Sequence, residues 1–349
     1  MVPDTGLMEG DPDAAIEPVR WGVLGAAGIA RTKVIPAMRS ARWSRVVAIA
    51  SRDKEKARAA ANELGIEHAH ASYEELLADS EVEAVYIPLP NHLHVPWSIR
   101  AADAGKHVLC EKPIALSAAE ARDLLTARDR NRVLVGEAFM VRVHPQWLAV
   151  RELVRSGRIG ELHLITCHFS YSKHDPDNIR NRAEYGGGSL MDVGCYPITL
   201  SRWLFDAEPM EVLALMERDP VMKIDRLISA LLHFQHGQAS FTCGTQLAAY
   251  QRMHVLGTTG RIEIEIPFNA PPDVPCRIFV TPVREGAVET IEFPTVDQYT
   301  LQADAFSRAV RGRGSVPVPL EDAIENMEVI DALFRSAEAG GWAPVTQKA

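Results

Sequence analysis

The chain has no long apolar run. No stretch reaches the ~18–20 residues that a membrane span needs, so a transmembrane helix is not expected. Cysteine is scarce as well. The five cysteines (Cys110, Cys167, Cys195, Cys243 and Cys276) are far apart, and no pair has the C-x-x-C spacing of a metal site. They read as buried free thiols in a reducing compartment, not as a disulfide framework. A basic excess is also missing. The net charge of −9 argues against a nucleic-acid surface, because phosphates call for clustered lysine and arginine. Met1 to Pro18 hold five acidic residues and no basic one, with no apolar core. They do not resemble a secretory signal and read as a disordered arm. A cytoplasmic protein with neither nucleic-acid nor membrane partners is expected.

The remaining composition is ordinary, with 47% apolar and 24% charged residues, and 349 residues suit two domains. From Val19 onward, short apolar strands alternate with helices. Arg20–Gly25, Val46–Ala50, Ala84–Ile87, His107–Cys110 and Val133–Gly136 read as strands, with His68–Ala69 a weaker one. Ile29–Ser40 reads as a helix despite Pro36. Asp53–Leu64, Ser72–Leu77, Val95–Ala104 and Ser117–Asn131 follow, the last with a Ser117/Glu120 capping box. Such alternation predicts a parallel sheet covered on both faces, a Rossmann domain over residues 19–142. After Arg142 longer strands follow one another in hairpin-like succession. This predicts a second domain over 143–349, built on a large, mostly antiparallel open sheet with helices on one face, its last helix free to pack back on the first domain.

Gly25-Ala26-Ala27-Gly28-Ile29-Ala30 lies between the first strand and the first helix. Gly25 permits a tight turn, and Gly28 lets backbone approach a pyrophosphate at a helix N-terminus. Ala27 and Ile29 belong to the same turn. At the end of the second strand, where an NAD enzyme usually places an acidic residue, the chain has Ser51-Arg52, then Asp53, with Lys56 one turn on. A hydroxyl and a guanidinium suit a 2′-phosphate, so NADP is expected over NAD. The open alternatives are Arg52 stacked on adenine and Asp53 as a helix cap.

Leu89-Pro90-Asn91 with His92 and His94 ends one parallel strand, and Glu111-Lys112-Pro113 ends the next. Polar groups therefore gather at the carboxyl edge of the sheet, where open α/β sheets bind ligands. His92 and His94 have no third ligand nearby, so no metal site is expected. His68/His70 and His233/His236 read as structural. Further on, Gly186-Gly187-Gly188 precede a helix in which Asp192 and Tyr196, four apart, share a face. Arg142, His144, Asp175 and Arg180 are candidates to grip sugar hydroxyls or a carboxylate, with surface or structural duty the rival reading.

These segments together resemble the family of glucose-fructose oxidoreductase, inositol dehydrogenase and the MocA proteins. The matching text is G-A-A-G-I-A at 25–30, P-N-H-L-H at 90–94, E-K-P at 111–113 and G-G-G-S-L-M-D-V-G-C-Y at 186–196. Many members have histidine where this chain has Tyr196. Tyrosine there, E-A-F-M-V-R-V-H-P at 137–145 and Asn178-Ile179-Arg180 resemble the branch with glucose-fructose oxidoreductase, NADP-dependent D-xylose dehydrogenase and dimeric dihydrodiol dehydrogenase, although that branch commonly has tryptophan at Ile179.

The resemblance implies that Lys112 and Tyr196 are the catalytic pair with Asp192 beside them. It also implies cofactor contact from the glycine turn, from Leu89, Pro90, Asn91 and His94, and from Glu111, Lys112 and Arg180. Substrate contact would fall to Lys112, Asp192, Tyr196, Arg142, His144 and Asp175. Lys112 would lower the tyrosine pKa from its usual ~10 so that the phenol can exchange a proton. The implied reaction is NADP-linked oxidation of an aldopyranose at C1 to a lactone. The alternatives are an aldose–aldose oxidoreductase with non-dissociating NADP, a keto-sugar or trans-dihydrodiol oxidoreductase, and, remotely, a non-catalytic NADP-binding regulator. A homodimer or homotetramer through the second sheet is also implied.

Overall fold

Short strands, mostly buried except at one edge, build the first sheet. In the computed structural model, which describes residues 16–283 and 286–345, these strands are β1 (Val19–Leu24), β2 (Ser44–Ala50), β3 (His68–His70), β4 (Ala84–Ile87), β5 (His107–Cys110) and β6 (Val135–Glu137). All pair in parallel, in the order β3-β2-β1-β4-β5-β6. Strand order reverses between β1 and β4, so the connections leaving their carboxyl ends run in opposite directions and leave a crevice for a ligand. The covering helices are α1 (Ile35–Ser40), α2 (Lys54–Leu64), α3 (Tyr73–Ala78), α4 (His94–Asp103) and α5 (Ala118–Asn131). Asp53 caps α2 by accepting from Glu55 N and Lys56 N, and Ser117 caps α5 through Glu120 N. Of the expected arm Met1–Pro18, residues 1–15 lie outside the described residues.

The first helix is not a plain α-helix. Residues Ala30–Val34 form a π-turn that runs into α1, and Pro36 follows within two residues. Proline has no N–H and crowds the carbonyl four residues back. The wider turn before it lets the helix continue.

The second sheet follows α6 (Pro145–Arg155). It comprises β7 (Leu162–Ser172), then, after α7 (Cys195–Phe205), β8 (Glu211–Arg218), β9 (Asp225–Phe234), β10 (Gly237–Gly244), β11 (Gln246–Gly257), β12 (Gly260–Ile264), β13 (Cys276–Pro282) and β14 (Glu289–Phe293). After α8 (Gln298–Val310) and α9 (Leu320–Ala339), the short β15 (Ala343–Pro344) closes one edge. The order is β14-β13-β12-β11-β7-β10-β9-β8-β15, antiparallel except for the parallel pair β7/β10. That pair is parallel because a crossover containing α7 separates β7 from β8, as parallel neighbours require. Strand β9 alternates, with Ile228, Ala230, Leu232 and Phe234 buried while Leu231 stays 39% exposed.

Helix α8 belongs spatially to the first sheet. Trp21 Nε1 donates to Ser307 Oγ at 3.0 Å, and Thr300 Oγ1 donates to the carbonyl of Ala37 at 3.1 Å. The long α9 lies against α5 on one side and β8 on the other. The two sheets are thus held around one cleft.

Candidate active site

The cleft contains a cavity of about 760 Å3. One end is the turn after β1. Gly25 sits at φ +117°, a conformation that side chains disfavour, and its N–H donates to the Ala50 carbonyl at 2.9 Å. Nothing lies within 4 Å of where a Cβ on Gly28 would stand, and Ala27, Gly28 and Ile29 line the cavity. This open backbone at a helix start fits the pyrophosphate of a dinucleotide. Leu89, Pro90 and Asn91, from the loop after β4, form the adjacent wall. His94 also lies at this wall, but it is only 1% exposed. Its ring nitrogens stand 2.7 Å from the carbonyls of Pro113 and Leu89, so it ties the two loops together.

The segment after β5 brings in the charged groups. Glu111 is buried and accepts from the Tyr86 hydroxyl at 2.6 Å, and burial raises its pKa. Lys112 Nζ donates to the Asp192 carbonyl at 2.6 Å and to Asp192 Oδ1 at 3.2 Å. Burial by itself lowers the pKa of this amine. The Asp192 carboxylate, with smaller help from Tyr196, Cys195 and Glu111, outweighs burial and holds the lysine pKa well above its usual value.

Asp192 and Tyr196 come from the far side of the cleft, and the local sequence sets their geometry. Gly188 is at φ +120°, and a Cβ there would fall 1.9 Å from Asp225 Oδ1. Asp225 Oδ2 accepts from Leu190 N at 2.7 Å and fixes the start of the helix. Leu190–Gly194 form a second π-turn, followed by α7 with Pro197 near its start. Proline at 197 has no N–H to offer the carbonyl of residue 192 in the π register, and Lys112 donates to that carbonyl. The expectation of a plain helix with Asp192 and Tyr196 one α-turn apart is therefore corrected. A π-turn joins them, and both still face the cavity.

Asp192 is the electrostatic hub. Besides Lys112, it accepts from Arg180 Nε at 3.1 Å to each oxygen and from the Tyr171 hydroxyl. Burial opposes its ionisation, but Lys112 and Arg180 overcome this and hold the carboxyl below the usual range. Tyr196 stands in an aromatic cage of Phe139, Phe169 and Phe268, with Lys112 Nζ 5.0 Å from its ring centroid. Here the expected electrostatics need revision. Lys112 does pull the phenol pKa down, but burial outweighs it and the net shift is well upward, so the resting group is a neutral phenol.

The cavity thus unites the glycine turn, Leu89, Pro90, Asn91, His94, Glu111, Lys112, Asp175, Arg180, Asp192 and Tyr196. Ser51, Arg52 and Lys56 lie outside its lining, at the carboxyl end of β2 and the start of α2. Ser51 Oγ accepts from Asp53 N at 3.2 Å, and Asp53 is spent on the helix cap. Arg142 and His144 are also outside. The Arg142 guanidinium stacks on Trp203 at 4.6 Å and pairs with Asp322 at 2.8 Å. His144 is buried, capping α6 by accepting from Gln146 N. The structural alternative describes both.

Lining residues that were not foreseen include Phe169, Tyr171, Asp177, Tyr185, Asn269 and Tyr299. Tyr171 had a weak signal, since it shares a strand face with Phe169 two positions away. Tyr299 had none, because it reaches the cavity only through the return of α8 to the first sheet.

Among the described residues no helix is long and apolar enough to cross a membrane. Residues 19–139 match the oxidoreductase family with an NAD-binding Rossmann fold, and residues 147–263 match the GFO/IDH/MocA C-terminal domain. An uncharacterized oxidoreductase of Rhizobium meliloti is 49% identical over 94% of this chain and 99% of its own length. A D-xylose 1-dehydrogenase (NADP(+)) of Haloferax volcanii is 40% identical over 92% of this chain and 98% of its own. A 3-ketoreductase from Actinomadura kijaniata, solved in complex with NADP and TDP-benzene, superposes with a TM-score of 0.84 at 31% identity, covering 92% of this chain and 98% of that one. With both domains matched in order along most of its length, the chain belongs to the GFO/IDH/MocA oxidoreductase family.

Proposed function

We propose that this protein is an NADP-dependent oxidoreductase acting on a sugar or sugar-like polyol, and that its reaction is oxidation of an aldopyranose at C1 to the lactone. The observation that carries this reading is the one cavity in which a dinucleotide-fitting glycine turn meets the Lys112–Asp192–Tyr196 cluster. Bound NADP would supply the hydride acceptor or donor. The chain's own residues handle the proton and the charge. The Tyr196 phenol oxygen exchanges a proton with the substrate oxygen, and Lys112, kept cationic by Asp192, stabilises negative charge there. Tyr171 and Arg180 hold the Asp192 carboxylate so that Lys112 stays aimed.

The choice of NADP rests on Ser51-Arg52 at the end of β2 and on Asp53. Asp53 spends its Oδ1 on the α2 cap, which commits one oxygen of the carboxylate that a ribose 2′-hydroxyl would use. The D-xylose 1-dehydrogenase relative supports C1 oxidation. A second reading, reduction of a keto-sugar, draws on the neutral Tyr196, which starts as a proton donor, and on the ketoreductase likeness.

Matched screens with NADP+ and NAD+ against aldoses, inositols and diols, followed by absorbance of the reduced cofactor, test the proposal. Reduction of NADP+ by an aldose is expected. Turnover with diols only, or with NAD+ only, overturns the substrate or the cofactor assignment.

We also propose self-association through the second sheet, whose outer face exposes Leu215 (79%) and Leu231 (39%) beside a groove of about 520 Å3. Leu215→Lys with Leu231→Lys should shift a dimer or tetramer to monomer in size-exclusion chromatography. An unchanged elution volume would remove this face from the interface.

A further inference from the structure

The Rossmann sheet ends at β3, an edge strand of three residues, His68-Ala69-His70. On a strand, positions two apart point to the same side, so both imidazoles face the C-terminal end of α3. There Asp79 waits. Its Oδ2 lies 2.6 Å from His68 Nδ1 and 3.0 Å from His70 Nε2, and the three donor atoms all lie within 4.8 Å of one another. The other carboxylate oxygen, Oδ1, is fixed by the Glu81 N–H at 2.9 Å. One oxygen is thus anchored from behind while the other is aimed between two imidazoles. Buttressing of this kind orients a metal ligand.

The charge balance favours a cation. Among the described residues, Asp79 forms ion-pair contacts only with the two histidines. The nearby Lys106 ammonium donates to the main-chain carbonyls of Asp79 and Val82, not to the carboxylate. A carboxylate faced by imidazoles that are neutral ligands when unprotonated presents one negative charge and two nitrogen donors to a divalent ion.

We propose that His68, His70 and Asp79 form a binding site for a divalent transition-metal ion of the zinc type, outside the active cavity. Zinc takes imidazole nitrogen and carboxylate oxygen at ~2.0–2.2 Å in a tetrahedron, with water free to take a fourth position. Tetrahedral donors at that distance stand roughly 3.3 Å apart, so the His68 contact at 2.6 Å would open by about 0.7 Å and the His70 contact at 3.0 Å by about 0.3 Å. His68 is 38% exposed and His70 21%, which leaves room for the shift and a path for the ion. The ion would clamp the edge strand to the end of α3. The His70 carbonyl also accepts from Ser51 N at 3.2 Å, so the clamp adjoins the loop that carries Ser51 and Arg52. It would brace the sheet and take no part in the chemistry at Tyr196.

The test uses tag-free, chelator-stripped full-length protein. Equilibrium dialysis against zinc chloride with elemental analysis should give one zinc per chain, and zinc should raise the melting temperature because it binds the folded state. Loss of a partner that merely orients a ligand weakens metal binding roughly 10–100-fold, so removing a ligand should do no less. His68→Gln with His70→Gln should weaken zinc binding at least tenfold and abolish the thermal shift, while turnover in the zinc-free state stays at the parent level. Should that double variant fold poorly, His68→Gln alone, at the most exposed ligand, carries the same comparison. Cobalt substituted for zinc should show the visible absorption of a tetrahedral site in the parent and none in the variant. No bound zinc in the parent, or equal zinc affinity in parent and variants, overturns the proposal.

Discussion

The wall that the parallel sheet gives to the cavity sets the bare glycine turn beside the Glu111 and Lys112 segment, whereas the wall from the second domain brings Tyr171, Arg180, Asp192 and Tyr196. On the first, Gly25 and Gly28 keep the surface bare, and the loops after β4 and β5 are tied by His94. On the second, Tyr171, Arg180, Asp192 and Tyr196 project from a long strand, a short 3-10 turn, a π-turn and the start of α7. Each wall contains a π-turn followed closely by a proline, Pro36 in one and Pro197 in the other. The same local device serves different ends. Beside the glycine turn it preserves a helix whose start stays open. Across the cleft it accompanies the Asp192 carbonyl that Lys112 grasps. The glycine turn accepts a ligand through shape and N–H groups, and side chains from both walls place the charge.

Substitutions can separate these two contributions. The largest loss is expected for Lys112→Met. Turnover should fall on the order of a thousandfold, as when a charge-stabilising donor is removed, while fluorescence titration shows cofactor still binding. Tyr196→Phe should cost about 10²–10³ in kcat. Because burial keeps the phenol protonated, the parent's oxidative rate should climb with pH while the reductive rate holds level through neutrality. A flat oxidative profile would remove Tyr196 as the proton acceptor.

Tyr171→Phe deletes one hydrogen bond to a charged carboxylate, worth ~1.5–3 kcal/mol. With Lys112 and Arg180 still bound to Asp192, kcat should fall only about tenfold and KM for the cofactor should hold. Gly25→Ala tests the other wall. A left-handed conformation costs a side chain roughly 1–2 kcal/mol, and the new Cβ would press Leu89 Cδ2 at 3.0 Å. A drop of a few degrees in melting temperature and a raised cofactor KM are expected, with little change in kcat.

The smallest effect lies beneath the Lys112 loop. Glu137 is 3% exposed, its Oε1 accepts from Ile114 N at 2.7 Å, and burial pushes its pKa up to about 8. A carboxyl raised in the folded state stabilises while protonated. Its contribution is full below the ordinary value of 4.5 and is lost as pH rises through about 8. Glu137→Gln keeps an acceptor for Ile114 and cannot ionise. Its melting temperature should therefore exceed the parent's at pH 8–9 and match it near pH 5. Parallel curves would show that Glu137 does not titrate in that window.

Much of the first domain was written in the order of residues. The strands, Gly25 and Gly28, the Ser117 and Asp53 caps and the Lys112 segment follow from apolar runs and local turn chemistry, because a parallel sheet is built from short repeating units. The pairing of Lys112 with Asp192 could be inferred only through family likeness, since 80 residues separate them. Arg142 and His144 show the limit of reading polar residues near a motif. Nothing local tells a guanidinium aimed at substrate from one stacked on Trp203. The His68–Ala69–His70 alternation was visible in the chain, but the carboxylate that completes the cluster was not.

By itself, then, the sequence determined the strand alternation, the glycine turn and which residue types stand ready for proton and charge work, because those depend on neighbours along the chain. Tertiary structure alone decided which of them meet. It brought α8 and Tyr299 back to the first sheet, gathered Lys112, Arg180 and Tyr171 on one carboxylate, and set burial against charge at Tyr196. Electrostatic balance in a closed cleft is a sum over segments that sequence order keeps apart.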